Sequence, residues 1–251
     1  MFDFIAYPLA NLLLLLYSVL GQSTVLAITA LTILINLIML PLTLSQQRSA
    51  RKMQDLQPKI DKLKKKYSND QERFAQEQMK LFRKEGVNPM GGCLPLLIQF
   101  PIWLGLINAI RYCIPSRPLD LLRFSQHIYK WLPGVQGVIP LQSRFLGMDL
   151  GQPPTPAVWW SYALPILVFV TYWLQQKLIS PSSGSADEKE DTSSQQEMME
   201  QQMKMMRVTM PLMSMLFTLQ YATGLSIYFI ISSATRIVQY YLIRQHHEQE
   251  A

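Results

Sequence analysis

The chain has 251 residues, of which 49% are hydrophobic and only 16% charged, and its formal net charge is +6. A soluble domain of this length usually carries nearer a quarter charged residues, so a soluble enzyme is a poor fit. The charges crowd into Ser45–Glu85, Ala186–Arg207 and the last few residues, the distribution of a chain that crosses a membrane several times.

Met1–Leu20 lacks the basic start and the small-residue cleavage site of a signal peptide. Pro8 and Asn11 are expected to interrupt it, so residues 1-20 read as a helix lying in the outer interface. Thr24–Leu44 (24-44) is the first apolar run long enough to cross a hydrocarbon layer of roughly 30 Å. A basic, glycine-free segment follows, Ser45–Glu85, so residues 45-90 read as a water-exposed arm. Cys93–Ile110 opens the second span (93-114), and 115-156 forms a loop. Ala157–Gln176 is the third span (157-177), introduced by Trp159 and Trp160 as interfacial anchors. Residues 178-207 form a Ser-rich linker and a Met-rich interfacial helix. Val208–Thr235 is too long for one span and too short for two standard ones, so it is divided at a turn over Tyr221–Gly224 into 208-221 and 224-243. The tail is 244-251. The expected fold is therefore an all-α polytopic membrane protein with five transmembrane helices, an external N-terminal interfacial helix and a cytoplasmic antiparallel helical hairpin.

Orientation comes from the Lys/Arg bias. Twelve basic residues from Arg48 to Lys84 lie in the first loop, against four in Pro115–Pro156. The first loop is thus predicted to be cytoplasmic, with the N-terminus outside and the C-terminus inside. Within it, Met53, Leu56, Ile60, Leu63 and Tyr67 alternate spacings of three and four, and Ala75, Met79 and Phe82 continue the stripe beyond Ser68-Asn69-Asp70. Two antiparallel helices joined at that tripeptide follow, with Pro58 starting the first or kinking it. Lys59, Lys62, Lys64, Lys65, Lys66 and Arg73 are candidate docking residues. A basic arm beneath a membrane meets anionic headgroups, RNA or acidic proteins, although a solvated hairpin that only fixes topology explains the same residues.

The run from Asn88-Pro89-Met90-Gly91-Gly92-Cys93-Leu94-Pro95 through Gln99-Phe100-Pro101-Ile102-Trp103 resembles the signature of the YidC family of membrane-protein insertases. Leu40-Pro41-Leu42-Thr43, Leu56-Gln57-Pro58-Lys59-Ile60 and Gly224-Leu225-Ser226-Ile227-Tyr228 agree in order. The resemblance covers most of Leu12–Ile243 and is to the short forms, without a large periplasmic domain. It implies a five-span core; the family has mitochondrial and chloroplast relatives, and the lack of a transit-like N-terminus favours a bacterial plasma membrane over an organelle. The implied partners are nascent membrane-protein substrates and the lipid bilayer, with the Sec translocon and the ribosome as further candidates and no DNA.

Such a protein needs a polar recess within the bilayer, because an unpaired hydrogen-bonding group in hydrocarbon costs several kcal/mol. The residues expected to line a substrate groove are Asn36, Gln99, Asn108, Gln220, Ser226, Tyr228, Ser233 and Arg236, with Thr29, Thr32 and Ser232 as further candidates. Each of these can instead serve as a helix–helix packing contact. Most bacterial members of the family carry an arginine five residues before the Leu-Pro-Leu proline of the first span. Here that position is Asn36, which supplies no fixed charge. Arg236 could place a guanidinium in the same recess or extend to the membrane surface. The expectation is that the charge has moved from the first span to the last.

No catalytic constellation, metal site or cofactor is expected. His127, His246 and His247 have no acidic or thiol partner at ligand spacing, and no phosphate-binding loop is present. A channel or transporter using the same polar residues remains the alternative, although no paired half-repeats are visible and the hairpin would be unexplained.

Overall fold

The computed structural model describes residues 3–67, 70–87, 94–114, 124–129, 140–179 and 208–249. The Asn88–Cys93 part of the signature, the Ser68-Asn69 turn, much of the 115-156 loop, the linker with its Met-rich helix and the last two residues lie outside them. The described chain is mainly helical: α1 (Asp3–Val19), α2 (Thr24–Ile38), α3 (Leu40–Lys66), α4 (Gln71–Lys84), α5 (Leu94–Cys113), α6 (Ala163–Ile179), α7 (Val208–Gln220) and α8 (Thr223–Gln249). Two short strands, β1 (Arg144–Phe145) and β2 (Met148–Asp149), pair antiparallel in a loop expected to be irregular.

α1 runs unbroken through Pro8 and Asn11, which were expected to divide it. Pro8 lies within two turns of the start, so one backbone bond is lost while packing holds the rest. The Tyr7 ring stacks on Tyr112 at 5.5 Å and on His127 at 4.2 Å. Asn11 uses its side chain at a contact instead of breaking the helix. Its amide donates to the carbonyls of Tyr7 and His127 at 2.8 and 3.1 Å, and its carbonyl accepts from the Tyr129 N–H at 2.8 Å.

The expected first span is not one helix. α2 begins at Ser23, whose hydroxyl accepts from the Leu26 N–H, and ends at Met39. α3 then departs at 54°. Pro41 is the cause: it has no N–H for the Leu37 carbonyl and its ring crowds that oxygen, yet it is well suited to the first turn of the next helix. No single described helix is both long and apolar enough to cross a membrane alone, whereas α2 and α3 together are. The third span is likewise modified. Pro156–Tyr162 is a 3-10 turn with Val158 out of helical geometry, and the α-helix starts only at Ala163.

Past α2 the chain carries a separate small core. Leu56, Ile60, Phe82 and Val87 are buried together, with Met53, Phe74 and Leu81 packed around them. Lys59 closes the pair onto Glu85 at 2.6 Å, so α4 folds back along α3. Asp70 caps α4 by accepting from the Arg73 N–H. The stripe on α4 differs from the expected one: Ala75 and Met79 are exposed, while Phe74 and Phe82 face α3. α3 continues through Pro58 without a break.

The main core joins α1, α2, α5 and α8, and α6 packs along α8. α7 meets α5 edge to face through Phe217 and Trp103, 4.7 Å apart. Outward from this core the surface is apolar: Leu26, Ile33, Leu37 and Ile38 on α2, Ile166, Val170 and Trp173 on α6, and Leu212 and Leu216 on α7 are all exposed. Apolar faces on several neighbouring helices are unusual for a protein surrounded by water.

One end of the bundle is tied by residues 140–152. Thr24 donates to the Gln142 carbonyl at 2.6 Å, Leu141 N–H to the Cys113 carbonyl at 3.1 Å, Thr223 to the Gln152 carbonyl and Gly224 N–H to the Leu150 carbonyl at 2.9 Å. The starts of α2 and α8 and the finish of α5 therefore share one level, here called the loop end. Gly224 was expected within a turn. It lies instead in the first turn of α8, where a Cβ would approach the Leu150 carbonyl to 3.2 Å, a tight contact that favours glycine.

Candidate functional site

Depth along the helices decides which polar residues can meet. At 1.5 Å per residue, Asn36 lies about 18 Å from the start of α2, Gln99 about 21 Å from the Cys113 finish of α5, and Arg236 about 20 Å from the start of α8. Three helices levelled at one end thus bring these side chains to the same depth.

There they form a connected network. The Arg236 guanidinium donates from Nη2 to Gln99 Oε1 at 2.7 Å and from Nε to Asn36 Oδ1 at 3.4 Å. Gln99 donates its other end, Nε2, to the Tyr228 hydroxyl at 2.8 Å. The Asn36 amide donates to the Thr32 carbonyl at 2.8 Å and lies 3.3 Å from Ser232 Oγ. Gln239 reaches the Asn36 carbonyl oxygen at 3.4 Å. Asn36, Tyr228, Ser232 and Gln239 are buried, while Arg236 and Gln99 are half-buried, so the network has an open side.

Its electrostatics are one-sided. Both guanidinium bonds go to neutral amide oxygens, and among the described residues no carboxylate pairs with Arg236. Amide dipoles orient a cation without neutralising it. A positive charge held this way in a low-dielectric surround attracts a carboxylate far more strongly than it would in water. On the same helix, the Gln239 Oε1 at the network and the hydroxyls of Ser233 and, nearer the loop end, Ser226 are buried with no partner among the described residues. Buried polar atoms of that kind are normally met by water.

Other candidates lie elsewhere. Asn108 is about 8 Å from the Cys113 finish of α5, and Ser226 about 5 Å from the start of α8, both near the loop end. Gln220 is exposed at the last residue of α7. None of the three touches the network, because a helical spacing gives the face of a residue on its own helix but not its depth against another. Ser233 neighbours Ser232 in sequence but makes no bond to the network. Thr32 donates to the Ile28 carbonyl of its own helix, a bond within α2 and not between helices, and Thr29 is half-buried. Ser232 is a polar span residue that the sequence also offered for the recess, and Gln239 is the participant that it did not. Their i and i+7 spacing, astride Arg236, was the available signal.

Of the basic hairpin residues, Lys59 is engaged with Glu85 and Arg73 with Asp70 at 3.3 Å. Lys62, Lys65 and Lys66 are exposed, with Lys66 beside the Tyr67 ring, and Lys64 is half-buried. The acid on the first pair is held below its ordinary range: the hydrogen bond and charge of Lys59 lower the Glu85 pKa.

An apolar exterior around a guanidinium bonded to two amide oxygens defines a helical membrane protein with a polar interior. A family model described as "60Kd inner membrane protein" matches residues 15–250. The chain belongs to that family, which is the YidC family that its sequence resembles. Among its relatives, the "Membrane protein insertase MisCA" of Bacillus subtilis is 34% identical over 96% of this chain and 78% of its own. The "Membrane protein insertase YidC" of Fusobacterium nucleatum is 34% identical over 86% and 84%. The protein of the same name from Wigglesworthia glossinidia brevipalpis is 35% identical over 96% of this chain but only 36% of its own.

Proposed function

We propose that the protein is a membrane-protein insertase and chaperone of the bacterial plasma membrane, with the loop end outside and the hairpin in the cytoplasm. The recess at Asn36, Gln99 and Arg236 receives the polar segment of a nascent membrane protein, lowers its desolvation cost and releases apolar segments sideways to lipid. No covalent step is involved. The observation that carries this reading is the guanidinium of Arg236, bonded to Asn36 and Gln99 at the depth where the family's charge is expected but from a different helix. The exposed Lys62, Lys65 and Lys66 supply a docking face for an acidic partner such as the ribosome, while Lys59 and Arg73 serve the hairpin itself.

The test reconstitutes the full chain in liposomes and follows insertion of a single-span substrate with an acidic translocated tail. A hydrogen bond to a charged group contributes about 1.5–3 kcal/mol, so Arg236→Ala is expected to lower insertion of that substrate by about tenfold or more. Arg236→Lys keeps the charge but loses the bond to Asn36 and recovers part. The exchange Asn36→Arg with Arg236→Asn returns the charge to α2 and recovers more than either single change. Undiminished insertion by Arg236→Ala would sink the reading.

A further inference from the structure

The turn joining β1 to β2 is unusual in both backbone and side chain. Leu146 has φ +50 and Gly147 has φ +81, the pair of left-handed residues of a two-residue hairpin turn in which Asn-Gly is the favoured sequence. A leucine there meets its own carbonyl through Cβ, and asparagine or glycine would relieve the strain. The side chain gains no burial in return: Leu146 is 68% exposed, and its neighbour Phe145 is exposed as well. Met148, on the other strand, is buried and holds the hairpin on the bundle. The tip thus presents a leucine and a phenylalanine that the fold does not use.

The same end of the molecule offers a second surface of this kind. Trp159, in the 3-10 turn that leads into α6, is 79% exposed. α6, which follows it in the chain, exposes Ile166 and Val170 as well. Arg144, exposed, flanks the tip, and Asp149 stands opposite it on the other strand, one carboxylate oxygen accepting from the Gly151 N–H at 2.9 Å. An apolar tip with a flanking cation and an indole at the level where helices finish matches the chemistry of a bilayer interface: acyl carbon, phosphate and carbonyl layers in turn.

We propose that Phe145-Leu146, with Trp159, is a lipid anchor that inserts into the interface of the leaflet at the loop end and fixes the depth of the levelled helix ends. The occupant is the lipid surface and not a polypeptide, because residues 140–152 hold the tip at the level where the helices of an apolar-faced bundle finish, which is the level of a bilayer interface.

The experiment uses the full chain with Cys93→Ser, Cys113 being buried, in phosphatidylethanolamine–phosphatidylglycerol vesicles. A thiol-reactive fluorophore is placed in turn at Leu146→Cys, at Phe145→Cys, whose backbone is unstrained, and at Gln76→Cys on α4 as a water-exposed reference. Quenching by lipids carrying a nitroxide near the headgroup is compared with quenching by aqueous iodide. The expected result is nitroxide quenching several-fold stronger, and iodide quenching several-fold weaker, at both tip positions than at Gln76. Iodide quenching equal to the reference at both tip positions overturns the proposal. So does protection that appears only when a substrate chain is present, which would make the tip a protein-docking surface.

Discussion

At the residue scale, side-chain chemistry was more legible than position. Asn36 and Arg236 could be paired from sequence because each stands a short distance from a motif that marks its depth, Leu40-Pro41-Leu42 for one and Gly224-Leu225-Ser226 for the other. Asn108 and Gln220 had no such marker. Gln99 is the residue on which the network turns, since it accepts from Arg236 and donates to Tyr228. Tyr228→Phe leaves the half-buried Gln99 amide without that acceptor, and a lost hydrogen bond of this kind costs about 0.5–1.5 kcal/mol. The expected outcome is a lower melting temperature in detergent together with weaker insertion of acidic substrates, because Gln99 becomes free to turn from Arg236. Gly105 makes a sharper packing test. A Cβ there would lie 2.6 Å from Ile5 Cγ2 and 3.2 Å from Ile5 Cβ, and a β-branched side chain has few ways to yield. Gly105→Ala should therefore destabilise the contact of α1 with α5 by about 1–3 kcal/mol, read as a drop in melting temperature.

At the element scale, the two helical hairpin elements were readable because their apolar residues repeat at helical spacing. The face of α4 was misjudged, since Ala75 and Met79 fit the spacing as well as Phe74 and Leu81 do, and only burial of the aromatic side chain decides between them. The break at Met39 was hidden for a different reason: a proline that closes one helix also suits the first turn of another, so the run reads as a single span. The hairpin core is small and remote from the bundle, which separates its stability from that of the membrane part. Phe82→Ala opens a cavity beside Leu56 and Ile60 and should cost about 3–5 kcal/mol. Hydrogen exchange should then rise through α3 beyond Leu56 and through α4, while α8 stays protected. The Lys59–Glu85 pair adds a pH dependence of known sign. With the carboxyl pKa lowered in the folded state, its contribution is present above the ordinary carboxylate value and is lost as pH falls through the lowered one. Glu85→Gln should flatten that acid-side rise in α4 exchange.

At the scale of the whole molecule, the two ends of the bundle differ in a way that sets the direction of access. The loop end is sealed by backbone bonds from residues 140–152 to the starts of α2 and α8 and to the finish of α5, with Ile28, Ile110 and Leu225 buried beneath. The network lies about 20 Å away from that seal, beyond most of a roughly 30 Å hydrocarbon layer. With that end sealed, water is expected to reach Arg236 and the buried Gln239 from the hairpin end. Two cysteine positions test this in the Cys93→Ser chain, using a membrane-impermeant thiol reagent applied to one side of sealed vesicles at a time. Gln239→Cys sits one turn beyond Arg236 on the network face and should react from the hairpin side only. Ile28→Cys, close to Gly224 beneath the seal, should resist the reagent from both sides. Reaction of Gln239→Cys from the loop side would mean that the seal opens, and a polar segment could then pass through the protein as through a channel instead of entering and leaving from one face.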